Sequence, residues 1–221
     1  MENKLIQQLE NVLPEGMNIP EPLIKLYQWI EEKGYYRDNK EDELRVGFLY
    51  PEDKLKESWT DDERDGGTII DFSAIGNKYL KYWFGLDNDE INSRLCVFAQ
   101  SGGEGSECAL WKNDKGETVI VHMGSGSGSL LSCVLAENAV DFLRLIAIGY
   151  DEICWDEEFP YPPSQNEEFL VKPNLEFQKW VKETFQVDIP ETALEIVKNP
   201  TGMDDDESED EFFNWFKKFV E

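Results

Sequence analysis

The chain has 221 residues, enough for one substantial core with an appended lobe, and it is 40% hydrophobic with 7 Trp, 8 Tyr and 13 Phe, too much apolar material for a disordered protein. Its 47 acidic residues against 21 basic ones leave a formal net charge of −26 at pH 7. A surface of that sign repels phosphate backbones and anionic membrane faces while attracting basic proteins, so direct nucleic-acid binding is disfavoured; the same charge also keeps a protein soluble whatever its role.

The amino-terminal stretch "MENKLIQQLENVLPEG" lacks the basic start and apolar core of a signal peptide, and no run approaches the ~20 apolar residues of a membrane helix. The expected location is the cytoplasm, with no membrane partner. Cys96, Cys108, Cys133 and Cys154 stand far apart in apolar segments with no CxxC pair, which suits buried reduced thiols.

Leu5, Leu9, Val12 and Leu13 fall at helical spacing before Pro14, and "IPEPLIKLYQWIEEKG" resumes that period through Leu23, Leu26, Tyr27 and Ile30 to Gly34. "LRVGFLY" (44–50) and "GTIIDFSAI" (67–75) read as strands, with a polar, exposed loop at 51–66 between them. "RLCVFAQ", "SECALWK" and "ETVIVHM" are strands joined by short glycine-containing turns, a pattern of successive antiparallel hairpins, hence a β-meander. Leu135, Ala139, Phe142, Leu143 and Ile146 mark one face of a helix ending near Gly149. Two more helices are expected, one capped by Asn174 and one at 191–197 after Pro190. A last, aromatic helix starts with Ser208 and Glu211 at capping-box spacing. Seven acids among the eight residues Asp204 to Glu211 read as a solvated hinge whose last members favour the start of that helix.

Chemistry-bearing motifs are few. "GSGSGS", with Gly124, Gly126 and Gly128, has neither the lysine of a phosphate loop nor the third glycine of a dinucleotide fingerprint, and it lacks the setting of a nucleophile elbow. It reads as a flexible turn. The only histidine, His122, sits at a strand end with no zinc-type spacing to Cys108, Cys133 or Asp114, and a satisfied hydrogen bond explains it better than a ligand or base role. Tyr79, Tyr82, Trp83 and Phe84 suit core packing better than base stacking. No catalytic, cofactor-binding or metal-binding residue is assigned, and a non-enzyme is expected.

Three stretches in order carry a family resemblance: Ile19 to Gly34, the hairpins in "VFAQSGGEGSECALWKNDKGETVIVHMG", and "LAENAVDFLRLIAIGYDEI". Together they resemble the SUKH superfamily, which includes bacterial immunity proteins against nuclease toxins and fungal regulators of cell-wall assembly. The resemblance covers roughly residues 14–159; the long loop at 51–66 and the acidic, aromatic tail depart from it. It implies an α+β domain with a bent antiparallel sheet flanked by N-terminal and C-terminal helices, at 1–160, used as a binding scaffold without catalytic residues. A helical, acidic extension packed on it would occupy 161–221. The implied function is neutralisation of a basic, nuclease-type toxin, with a scaffold in cell-wall or cell-surface assembly as the alternative; apart from the resemblance, the acidic clusters leave a metal-dependent hydrolase as a third reading. The partner contacts are assigned to Asp151, Glu152, Asp156, Glu157 and Glu158 around Trp155, since aromatic anchors ringed by charge resemble interface hot spots. Equally open is a buried Trp155 with the acids merely solvating the loop.

Overall fold

The computed structural model describes residues 3–40, 43–166 and 168–220. Helix α1 (Lys4–Glu10) starts where the Asn3 side chain accepts a hydrogen bond from the Ile6 amide, 2.9 Å. Helix α2 (Glu21–Lys33) enters through prolines and ends at Gly34, whose φ of 73° is the left-handed conformation that a side chain would strain. Strands β1 (Tyr36–Asp38) and β2 (Arg45–Gly47) follow. The stretch 51–66, expected as loop, instead holds helix α3 (Glu52–Ser58) and strand β3 (Glu63–Arg64). Its inward face is only Leu55 and Ser58, so the hydrophobic period is too short to announce itself.

Strand β4 (Asp71–Gly76) leads through the short helices α4 (Leu80–Trp83) and α5 (Asp89–Arg94) into the meander β5 (Leu95–Gln100), β6 (Glu107–Lys112) and β7 (Thr118–Met123). Strand β8 (Val134–Ala136) and helix α6 (Ala139–Ile148) come next, then strand β9 (Leu170–Val171), helix α7 (Leu175–Phe185) and helix α8 (Glu211–Val220). Single 3₁₀ turns occupy Asp156–Glu158, Pro163–Gln165 and Ala193–Glu195. The helix expected at 191–197 is only the last of these, a turn closed by a capping box between Thr192 and Glu195.

The fold is α+β. Seven strands form one antiparallel sheet in the order β1-β2-β4-β5-β6-β7-β8, and β3 pairs in parallel with β9 in a separate ribbon. Register shifts interrupt the β4/β5, β5/β6 and β7/β8 pairings, and such bulges bend strands. Side-chain alternation sorts the sheet into two cores. Cys108 and Leu110 of β6 face the first, with Leu26 of α2, Phe142 of α6 and Phe177 of α7. Ala109 and Trp111 face the second, covered by Phe212, Phe213, Trp215 and Phe216 of α8 and by Phe84 and Ile91. A sheet buried on both faces explains why its central strands read as nearly unbroken apolar runs. The residues beyond 161 contribute to both cores.

Three further expectations differ: Leu135, read as part of a helix face, lies in strand β8 ahead of α6, which Asn138 caps. The amino-terminal cap of α8 is not Ser208: Asp210 accepts from the Phe213 amide (2.8 Å) and from the Val134 amide of β8 (2.9 Å), while Ser208 accepts from the Asp210 amide. The aromatic group at 79–84 splits, with Phe84 in the second core and Trp83 half-buried, but Tyr79 and Tyr82 exposed, the latter by 72%.

Candidate protein-binding face

Helix α6 ends at Gly149 with φ 103°, and the following acidic loop is tied at both ends by one phenol. The Tyr150 hydroxyl donates to the Tyr161 carbonyl (2.8 Å) and accepts from the Ala193 amide (3.0 Å). Ile153, Cys154 and Phe159 anchor the loop in the interior, so its acidic side chains are held on a fixed frame, with Glu157 the exposed one.

The six residues assigned from sequence take different roles within that frame. Asp151 forms an ion pair with Arg64 of β3, and only 13% of its side chain is exposed. The Arg64 guanidinium also lies 3.5 Å over the Phe169 ring. Burial holds the Asp151 carboxyl above its ordinary value despite that arginine, and Oδ1 has no hydrogen-bond partner among the described residues. Asp151 is therefore committed to an ion pair inside the molecule. Glu152 accepts from the Gly103 amide (2.5 Å) and from Trp155 Nε1 (3.1 Å), linking the loop to the β5/β6 turn. Trp155 is half-buried, between the two sequence readings, and its indole N–H is satisfied. Asp156 is half-buried and shifted upward by burial, with Glu157 and Asp205 adding to it. Glu157 is exposed, and Glu158 is half-buried with Oε1 held by Asn166 at 3.1 Å.

Sequence reasoning missed several neighbours because they arrive from distant segments. Glu104, in the β5/β6 turn, is close enough to act with Glu152 on the Cys154 thiol, and Asp205 of the acidic hinge reaches Asp156. Tyr161 could have been noticed as the aromatic that closes the acidic run. Among the described residues, no Lys, Arg or His lies within ion-pair distance of Glu104, Glu152, Asp156, Glu157, Glu158, Asp204, Asp205 or Asp206.

The serine–glycine stretch is the corner between β7 and β8. Its amides are spent internally: Gly124 on Ser132 Oγ, Ser125 on Ser106 Oγ, Gly126 on the Ser129 carbonyl and Gly128 on Ser125 Oγ. None of these N–H groups is free to cradle a phosphate. A Cβ at Gly124 would come 2.7 Å from the Ser129 carbonyl oxygen, which accounts for the glycine there.

His122 is fully buried, with Nδ1 donating to the Leu131 carbonyl (2.7 Å) and Nε2 accepting from Ser101 Oγ (2.9 Å). Burial lowers its pKa to about 4, so it is neutral near pH 7. Ser101 is equally buried, and the pair has the atoms of a nucleophilic dyad without access to solvent. All four cysteines are free and buried. Among the described residues, no group of three or more His, Cys, Asp or Glu is placed to hold a metal ion, and no helix is long and apolar enough to cross a membrane. Comparison with protein-family models, with curated proteins and with solved structures finds no match to this chain.

Proposed function

We propose that this chain is a non-enzymatic acidic binding protein, an immunity protein of the SUKH type, which neutralises a basic nuclease-type toxin by direct contact. The observation that carries the reading is the set of carboxylates around the half-buried Trp155 that have no ion pair among the described residues. A nuclease cleft built for phosphates presents Lys and Arg, and opposing carboxylates speed encounter and set orientation. Trp155, Asp156, Glu157 and Glu158 make the contacts in this reading, while Asp151 and Glu152 hold the loop in shape.

The test begins with capture of basic proteins on the tagged chain from its own cells at low salt. Each captured protein is then purified and titrated at low salt and at about 0.5 M salt, where the Debye length is roughly 4 Å. The expected result is one basic nuclease whose activity is abolished at one-to-one stoichiometry and whose affinity falls with salt. Basic partners that bind without loss of any nuclease activity would refute the immunity role, and several weak partners from surface assembly would favour a scaffold.

A further inference from the structure

Beside the acidic loop lies an open cleft of about 410 Å³, walled by Glu157, Glu158, Tyr161, Pro162, Pro163 and Asn166. We infer that this cleft receives an arginine side chain of the basic partner, with the guanidinium lying against the Tyr161 ring and forking onto the Glu157 and Glu158 carboxylates. The inference rests on the binding function proposed above and names the chemistry of its central contact.

Four independent features of the cleft converge on that occupant. Its volume falls within the ~300–1,000 Å³ of ligand pockets, room for one long side chain with part of its backbone. Tyr161 lines the cleft and is 57% exposed, which leaves an aromatic ring available to a flat cation. The rim is fixed before any ligand arrives, since Tyr150 Oη holds the Tyr161 carbonyl at 2.8 Å and the two prolines restrict the backbone beyond it. Finally, Asn166 Nδ2 holds Glu158 Oε1, which orients the carboxylate, and among the described residues no hydrogen bond is made to Oε2.

The electrostatics give the cleft a sign. Burial holds the Glu158 carboxyl above its ordinary range, and Glu157, Asp151, Glu168 and Glu152 each push it further in that direction. The Arg64 guanidinium is occupied by Asp151, and no cation of the described chain pairs with Glu157 or Glu158. A cation from outside relieves this crowding. Arginine suits the geometry better than lysine because its planar fork can meet carboxylate oxygens and lie on an aromatic ring at once, whereas an ammonium is a point charge.

The experiment is an amide-shift titration of the full chain by NMR with acetyl-Ala-Arg-Ala-amide, its lysine analogue and its neutral citrulline analogue. Arginine should perturb amides concentrated between Glu157 and Asn166, lysine should bind about fivefold more weakly, and citrulline should leave the spectrum unchanged. Glu158→Gln and Tyr161→Ala should each weaken arginine binding about fivefold in a chain whose remaining spectrum is intact, while Glu207→Gln should not. Arginine shifts centred on Asp204–Glu209, or no preference for arginine over lysine, would overturn the cleft assignment and leave the acidic-binder reading standing. If acetyl-tetra-arginine-amide perturbs no residue even at low salt, both fall.

Discussion

The edge of the sheet near the amino terminus and the loop face around Trp155 are both rich in carboxylates, but they treat them in opposite ways. At the edge, Asp38 is paired with Lys4 (3.2 Å) and Arg45 (2.8 Å), Glu31 with Arg45 (3.1 Å), and Glu52 with Lys56 (2.6 Å) and Arg37. Hydrogen bonding from Arg45 holds the Asp38 carboxyl down at about 2, against the usual carboxylate range. On the loop face, burial and like charges hold Asp156 and Glu158 above that range. The net charge is thus unevenly spread. Cations gather on the exposed outer strand β1 and its neighbours, where alternating charge also discourages pairing with another sheet. Carboxylates left uncompensated among the described residues, as on the loop face, are those with most to gain from an external cation.

The sharpest test of this contrast is Asp151, which belongs to the loop in sequence but to the paired class in space. Asp151→Ala strands the largely buried Arg64, and urea unfolding should show a loss of about 2–3 kcal/mol. The double change Arg64→Met with Asp151→Leu should cost less than Asp151→Ala alone. A loss below about 0.5 kcal/mol for Asp151→Ala would return it to the solvated acids.

Glu107, at the start of β6, extends the uncompensated class into the sheet, since burial raises its pKa to about 7. A carboxyl raised above its unfolded value near 4.5 contributes stability that is fully present below that value and lost as pH rises through about 7. Glu107→Gln should therefore stabilise the fold by about 2 kcal/mol at pH 8 and by little at pH 5, compared with the parent chain in urea melts at both pH values. An equal effect at both pH values would remove Glu107 from the class.

A smaller effect is expected on the paired edge. Asp38 is about half exposed, so screening limits its ion pairs, and Asp38→Ala should lose about 0.5–1 kcal/mol, less at high salt. The smallest effect has the opposite sign. Glu157→Gln should leave stability unchanged or raise it by up to about 0.5 kcal/mol, with the gain vanishing at about 0.5 M salt. A destabilising Glu157→Gln would mean that this acid has an internal partner, and the contrast between the regions would fail there.

His122 adds an acid limit common to both regions. Its folded pKa of about 4 lies below the ordinary 6.5, so its contribution is present above 6.5 and is lost as pH falls through about 4. The shift corresponds to about 3 kcal/mol, and its expected signature is a Ser101–His122 contact that breaks in step with acid unfolding, followed by the imidazole NMR shift.

Much of the architecture was legible because its signals are local. Helices α1 and α2, the β5–β7 meander, and α6, α7 and α8 all announce themselves by apolar spacing, by short glycine turns, or by caps such as Gly34 and Asn174. Elements that bury few residues did not: β1 has three exposed residues and α3 turns only Leu55 and Ser58 inward. The cap of α8 shows a subtler limit. Ser208 and Asp210 are both acceptable caps, and the Val134 amide of a strand 76 residues away gives Asp210 its second bond.

The amino-acid sequence by itself determined the excess of carboxylates, the acidic run 151–158 with a tryptophan inside it, and the α+β pattern, because composition and hydrophobic period are properties of the chain as written. Only the tertiary structure decided which carboxylates keep their charge uncovered. Asp151 and Glu157 are six residues apart on one loop, and what separates them is that Arg64, 87 residues before Asp151, is delivered to one and not the other by β3 pairing with β9. Ion pairing depends on distances of a few ångströms between groups remote in the chain, and only packing sets those distances.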